Sequence, residues 1–100
     1  SDNPNIEYID QHKIKNKKLQ LRIWREGDAF RPLGMLGKQK ISDFLTNKKI
    51  NRFEKFNQSV LCADDQIIWL CGHRIDDRYK VSDQTIKYIS LNRAKRSIAQ

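Results

Sequence analysis

Apolar and polar residues alternate along this chain with two different periods, and the switch between them divides it. Over residues 1–16 the signal is weak: Ile6, Tyr8, Ile9 and Ile14 stand among polar neighbours, enough for a strand and a turn. Alternation sharpens at Leu19, Leu21 and Ile23, interleaved with Gln20, Arg22 and Trp24, which predicts a strand with one buried face. Glu26-Gly27-Asp28 breaks it, and Arg31-Pro32-Leu33-Gly34 fits a type I turn with proline second and glycine fourth. From Lys38 the period lengthens. Ile41, Phe44, Leu45 and Lys48 are spaced as on a helix, the first three on one face. A helix of about two turns does not stand alone in water, so it must lean on a sheet. Asn51 with Glu54 three residues on has capping-box spacing and predicts a second short helix that buries Phe53 and Phe56.

Val60 to Ala63 and Gln66 to Cys71 read as a hairpin around the two-residue turn Asp64-Asp65. Strict alternation puts Val60, Ile67 and Trp69 on one face and Leu61, Ile68 and Leu70 on the other. With both faces apolar, the hairpin is the expected centre of the core. Gly72 ends it, Ser82-Asp83 is turn-rich, and Thr85 to Leu91 reads as a last strand. Asn92 to Gln100 has no apolar period and reads as a loose basic tail. The expected class is α+β: a small, β-rich antiparallel sheet or sandwich with short helices inserted in the middle, in one domain. Its boundaries fall at 1–18 for a lead-in with a possible first strand, 19–91 for the folded unit and 92–100 for the tail.

Charge adds a partner. The chain has 100 residues and a net charge of +8, an excess that attracts polyanions. It is uneven: residues 21–56 hold nine Lys/Arg against four Asp/Glu, whereas residues 57–81 hold three against four. The basic surface should come mainly from the middle segment, and secondarily from the tail with Arg93, Lys95 and Arg96. No apolar run approaches the roughly 20 residues of a membrane span, and no long basic amphipathic helix is visible, so a membrane partner is not expected. Ser1 to Asp10 lacks the basic start and apolar stretch of a signal peptide, and the chain reads as part of something longer. In the predicted hairpin Cys62 faces Ile67, and Cys71 lies four residues further along, roughly 13 Å away at strand rise. A disulfide needs Cα atoms within about 7 Å. Two free, buried thiols of a reducing, cytoplasmic compartment are expected. Metal-ligand spacing is absent, with no C-x2-C or H-x3-H and with His12 and His73 far apart.

Several motifs admit a binding role and a purely structural one. Gly34-Met35-Leu36-Gly37 before Lys38 and Lys40 is a GxxG loop leading to a helix, where backbone N–H groups of Gly34 and Gly37 could hold a phosphate. The sharp turn that glycines allow is an equal reading of the same motif. A KH domain places such a loop between two helices, but here a strand and a Pro turn precede it. A DNA-reading helix-turn-helix over 40–56 would have very short helices and leave a β-rich remainder unexplained. In His73-Arg74-Ile75-Asp76-Asp77-Arg78-Tyr79-Lys80, Arg74 and Arg78 could clamp phosphates bidentately, or could pair internally with Asp76 or Asp77. His73 has no nucleophile at a known spacing, and Asp43, Glu54, Asp64 and Asp65 are explained by caps and turns. Trp24 and Trp69 are expected in the core. No phosphate-loop or dinucleotide fingerprint occurs, so catalytic and metal-binding residues are not expected. The candidate nucleic-acid contacts are Arg31, Lys38, Lys40, Arg52, Arg74 and Arg78.

Arg25-Glu26-Gly27-Asp28-Ala29-Phe30-Arg31-Pro32-Leu33-Gly34-Met35, then Gly37, Lys40-Ile41-Ser42-Asp43-Phe44-Leu45, Ile67-Ile68-Trp69 and Gly72-His73-Arg74-Ile75-Asp76 form one combination. It resembles the C-terminal domain of bacterial tRNA(Ile)-lysidine synthetase over about residues 19–91. The resemblance implies a β-rich fold shared with a domain of phenylalanyl-tRNA synthetase. It also implies a parent enzyme whose upstream catalytic domain uses ATP and lysine to convert the wobble cytidine of a CAU-anticodon isoleucine tRNA to lysidine. This domain would grip that tRNA towards the acceptor stem. The chain departs from the family pattern at 51–59, where Asn51 and Gln58-Ser59 stand in place of prolines. The SGGxDS loop of the catalytic domain is absent, so this chain by itself should carry no chemistry.

Overall fold

The computed structural model describes residues 6–92; residues 1–5 and 93–100, with the tail's Arg93, Lys95 and Arg96, lie outside the described residues. In chain order the elements are β1 (Ile6–Asp10), β2 (Leu19–Ile23), β3 (Ala29–Phe30), β4 (Gln39–Lys40), α1 (Ile41–Asn47), α2 (Arg52–Phe56), β5 (Ser59–Ala63), β6 (Gln66–Leu70), β7 (Arg74–Ile75) and β8 (Tyr88–Asn92). Short 3-10 turns occupy Gln11–Ile14 and Asp77–Tyr79. All pairing is antiparallel: β2-β5-β6-β7 form one sheet, with β1-β8 and β3-β4 as separate ribbons. The expected α+β, β-rich class is the one observed.

The predicted hairpin is the centre of the molecule. Cys62 pairs with Ile67 and Ala63 with Gln66 around the Asp64-Asp65 turn. Asp64 takes a φ of 54°, a left-handed value that aspartate tolerates. Beyond that the register shifts, because Leu61 pairs with Trp69 and leaves Ile68 as an extra residue, a β-bulge. The bulge corrects the face assignment. Ile68 and Trp69 both join the cluster of Ile9, Ile14, Ala63, Cys71, Ile75 and Tyr79, beneath Ile89 and Leu91 of β8. Leu70 turns instead to the opposite cluster of Phe30, Ile41, Phe44, Leu45, Val60, Cys62 and Ile67. The two thiols thus lie on opposite sides of the sheet, both buried and neither in a disulfide. Trp69 is 7% exposed and Trp24 packs against the second cluster, so both indoles belong to the core as expected.

Two apolar faces that the pattern predicts to be covered are open. Leu21 sits opposite the half-buried Leu61, yet Leu19, Leu21 and Ile23 are 46%, 62% and 48% exposed. Strand β2 is the sheet's edge, and the β1-β8 cover does not extend over it. Likewise α2 forms with the predicted cap, Asn51 accepting from the Glu54 N–H at 2.8 Å and donating to its carboxylate. It buries neither Phe53 nor Phe56, because no layer lies over that side; polar bonds such as Trp24 Nε1 to the Lys55 carbonyl at 2.6 Å hold it from the other. The final strand also starts later than expected. Residues 82–85 form a turn, closed by the Thr85 N–H on the Ser82 carbonyl, and pairing begins at Tyr88.

Candidate nucleic-acid interface

The segment after β3 is held by the segment after β6. Pro32 forms an isolated antiparallel bridge with Asp76, and the Leu33 N–H donates to the Ile75 carbonyl. This pairing pushes the turn one residue along. Met35 N–H bonds the Pro32 carbonyl, so Gly34 stands third in the turn with φ of 80°, as the type II form requires, and not fourth in a type I turn. Leu36 at the tip is fully exposed. Gly37 also has φ of 80°, and strand β4 separates it from α1, so the GxxG loop does not open a helix. A Cβ at Gly34 or Gly37 would meet nothing within 4 Å; the glycines are explained by backbone conformation.

Asp76 organises this junction from a fully buried position. Its carboxylate accepts from the backbone N–H of Arg31 and of Arg78 and from Arg78 Nε and Nη2, each at 2.9 Å. Burial alone would push its pKa up; the Arg78 guanidinium and the two backbone donors outweigh burial and hold it below the ordinary carboxylate value. Internal pairing is therefore what Arg78 does in the structure, although its side chain stays 42% exposed. Arg74 braces the same loop: its Nη1 donates to the Leu33 carbonyl and its guanidinium lies 5.7 Å from the centre of the Phe44 ring.

Beside this junction opens a cleft of about 500 Å³, walled by the β5-β6 turn, the end of β3 and the connector between β1 and β2. Arg31, Lys38 and Arg78 line it together with Lys17. Its carboxylates are largely committed. Asp28 is paired bidentately with Arg22 at 2.8 and 3.1 Å, and Asp64 accepts from the Lys18 backbone N–H. Burial would raise the Asp28 pKa, but Arg22 and the Arg25 N–H keep it low and charged. Four cations around a concave, half-open surface form a place where phosphate oxygens can be met from several directions.

Of the candidates, Arg31, Lys38 and Arg78 converge in this cleft. Lys40 is exposed at the start of α1, Arg52 is exposed on α2, Arg74 is tied to the loop, and Gly34 and Gly37 flank the exposed tip; none of these lines the cleft. Lys17 was missed. The alternating Lys13, Lys15, Lys17 and Lys18 carry the signal, but averaging over residues 1–20 hides it behind Asp2, Glu7 and Asp10. Among the described residues no group of three or more His, Cys, Asp or Glu is placed to hold a metal, and no helix is long and apolar enough to cross a membrane.

Comparison with known proteins places the chain. The tRNA(Ile)-lysidine synthase of Parabacteroides distasonis is 39% identical over 90 residues, 90% of this chain and 20% of that protein. That of Bacteroides thetaiotaomicron is 43% identical over 81 residues, 81% of this chain and 19% of that protein. The chain thus spans about a fifth of the length of these curated relatives. A solved structure described as the TilS C-terminal domain superposes with a TM-score of 0.73, covering 95% of this chain and 76% of that one. At 18% identity it speaks for the fold alone. The family model for the TilS substrate C-terminal domain matches residues 19–91, the stretch that carries the cleft except Lys17, the second core cluster and all of the first but Ile9 and Ile14, and the chain belongs to that family.

Proposed function

We propose that this chain is the tRNA-gripping C-terminal domain of a tRNA(Ile)-lysidine synthase and performs no chemistry itself. In this reading the parent's upstream catalytic domain joins lysine to the wobble cytidine of a CAU-anticodon isoleucine tRNA with ATP, in the cytoplasm. This domain holds the same tRNA towards the acceptor stem. The observation that carries the reading is the convergence of Lys17, Arg31, Lys38 and Arg78 on one cleft in a member of this family. ATP and lysine are needed only upstream, and no metal is required here.

The test is a salt-dependent titration of the chain with isoleucine tRNA. The wild-type chain should bind, and Arg31→Ala with Lys38→Ala should flatten the slope of log affinity against log salt by roughly 1.8, about 0.9 per lost phosphate contact. Full binding by the folded double variant would remove the cleft from the interface. A second reading is favoured by the open apolar face of Leu19, Leu21 and Ile23, which suits a packing module lying against the rest of a longer protein. If the wild-type chain shows no salt-dependent affinity for tRNA, that reading takes over.

A further inference from the structure

The connector between β1 and β2 carries a feature that the sequence candidates leave out and that the first cleft includes only at Lys17. Gln11–Lys18 places four exposed lysines, Lys13, Lys15, Lys17 and Lys18, in eight residues. A short lysine-rich loop is ordinarily a solvated, floppy surface, but this one is pinned throughout. Asp10 caps its 3-10 turn by accepting from the His12 N–H at 3.0 Å, and Ile14 is buried in the core at 7% exposure. The Lys17 N–H closes back on the Ile14 carbonyl at 3.1 Å, and Asn16 takes the left-handed φ of 65° that the reversal needs. Lys18 and Asp64 then exchange two bonds, at 2.7 and 3.0 Å, fastening the connector's end to the β5-β6 turn. The backbone share of the ordering entropy has therefore been spent in folding, and only the side-chain share is left to the moment of contact.

The pinned connector also borders two concavities. Lys17 faces the cleft already described. The connector's earlier residues border a second cleft of about 820 Å³, lined by Lys13, Lys15 and Lys87, with Ile86 and Ile89 among its walls. Asp10, the acid lining that second cleft, is itself buried, and it is engaged by the His12 N–H and by Thr85 Oγ1 at 3.0 Å. Among the described residues none of the four connector lysines is ion-paired, so their charge is available to a ligand.

Resting on the tRNA-binding reading, we infer that the lysine connector is a second phosphate-binding element that continues the RNA path from the first cleft into the second. The ligand is the backbone of a helical stem. Single-stranded RNA is held by platforms of exposed aromatic rings on which successive bases stack; no exposed Phe, Tyr or Trp lines either cleft, Phe30 in the first is 1% exposed, and the one exposed ring in the lining is the imidazole of His12 in the second. Lysines distributed along a pinned strip, without a platform of stacked rings, suit a duplex met through its phosphates.

The test compares three folded variants of the chain, checked by circular dichroism, in titrations with an RNA hairpin whose stem matches a tRNA acceptor arm. Lys13→Gln with Lys15→Gln removes the second-cleft side, and Lys48→Gln with Lys49→Gln removes equal charge at the end of α1, away from both clefts. Arg31→Ala with Lys38→Ala reports the first cleft. The connector variant should bind at least about fivefold more weakly at low salt and lose roughly 1.8 from the salt slope, two contacts' worth. The α1 variant should lose distinctly less. Equal behaviour of the connector and α1 variants overturns the inference while leaving the first cleft intact if the Arg31/Lys38 variant is weakened. Absence of hairpin binding by the wild-type chain overturns both readings, and equal affinity for a single strand of the same length overturns the duplex assignment.

Discussion

Helices α1 and α2 follow each other within sixteen residues, and both show apolar residues at helical spacing, yet they are built on different physics. Helix α1 has no side-chain cap bond at Lys40; it exists because Ile41, Phe44 and Leu45 are buried against the hairpin and β3. Helix α2 has a side-chain cap and no buried residue at all, with Phe53 and Phe56 75% and 81% exposed. One helix is a tertiary object, the other a local one. An apolar period therefore says which side chains would share a face, and the presence of a second layer decides whether that face is used.

The sharpest way to break this contrast is Phe44→Ala. A 2% exposed ring packed edge-on against Phe30 at 5.5 Å is removed, and the chain should lose about 3–5 kcal/mol in a urea unfolding titration. Loss below about 1 kcal/mol would mean that α1 does not depend on its layer. Next in size is Asp76→Asn, which leaves the Arg78 guanidinium without its buried partner beside the β3 junction; about 2–3 kcal/mol should be lost. The pH dependence follows with a definite sign. Asp76 and Asp28 are both held below their ordinary values when folded, so the unfolded chain takes up protons more readily. Their stabilisation is complete above about pH 4 and disappears as pH falls through the lower folded values. Thermal melts across that range should show a shallower acid limb for Asp76→Asn than for wild type.

Asn51→Ala tests α2 on its own terms. Losing one cap bond should cost about 1 kcal/mol, seen as local amide exchange over 52–56 more than as global unfolding. The smallest effect belongs to Phe53→Ser with Phe56→Ser, which should leave chemical stability within about 0.5 kcal/mol of wild type. A large loss there would show that the two rings are covered in solution and that α2 resembles α1 after all.

Much of the framework is legible in the sequence because it is local. The Asp64-Asp65 turn, the Asn51 cap, the helical run from Ile41 and the doubly apolar hairpin each depend on residues a few positions apart. The combination of REGDAFRPLGM with SDFL and the later GHRID marks the family, over the same 19–91 span that the family model matches. The candidate site was legible in part. Arg31, Lys38 and Arg78 were named as cations, but their convergence depends on residues 31–33 pairing with 75–77, more than forty positions away. Lys17 was hidden in a nearly neutral window.

By itself the sequence determined which residues want to be inside, where the chain turns, and that the surface is basic. Tertiary structure alone decided three further matters. A bulge at Ile68 sends Trp69 and Leu70 to the faces opposite to strict alternation, because one unpaired residue resets a period of two. The limited reach of the β1-β8 ribbon leaves Leu19, Leu21 and Ile23 uncovered, since burial belongs to pairs of layers and not to a strand. And a cation from the β1-β2 connector joins three from distant loops in one cleft, because charge density in space follows chain crossings that no linear window can measure.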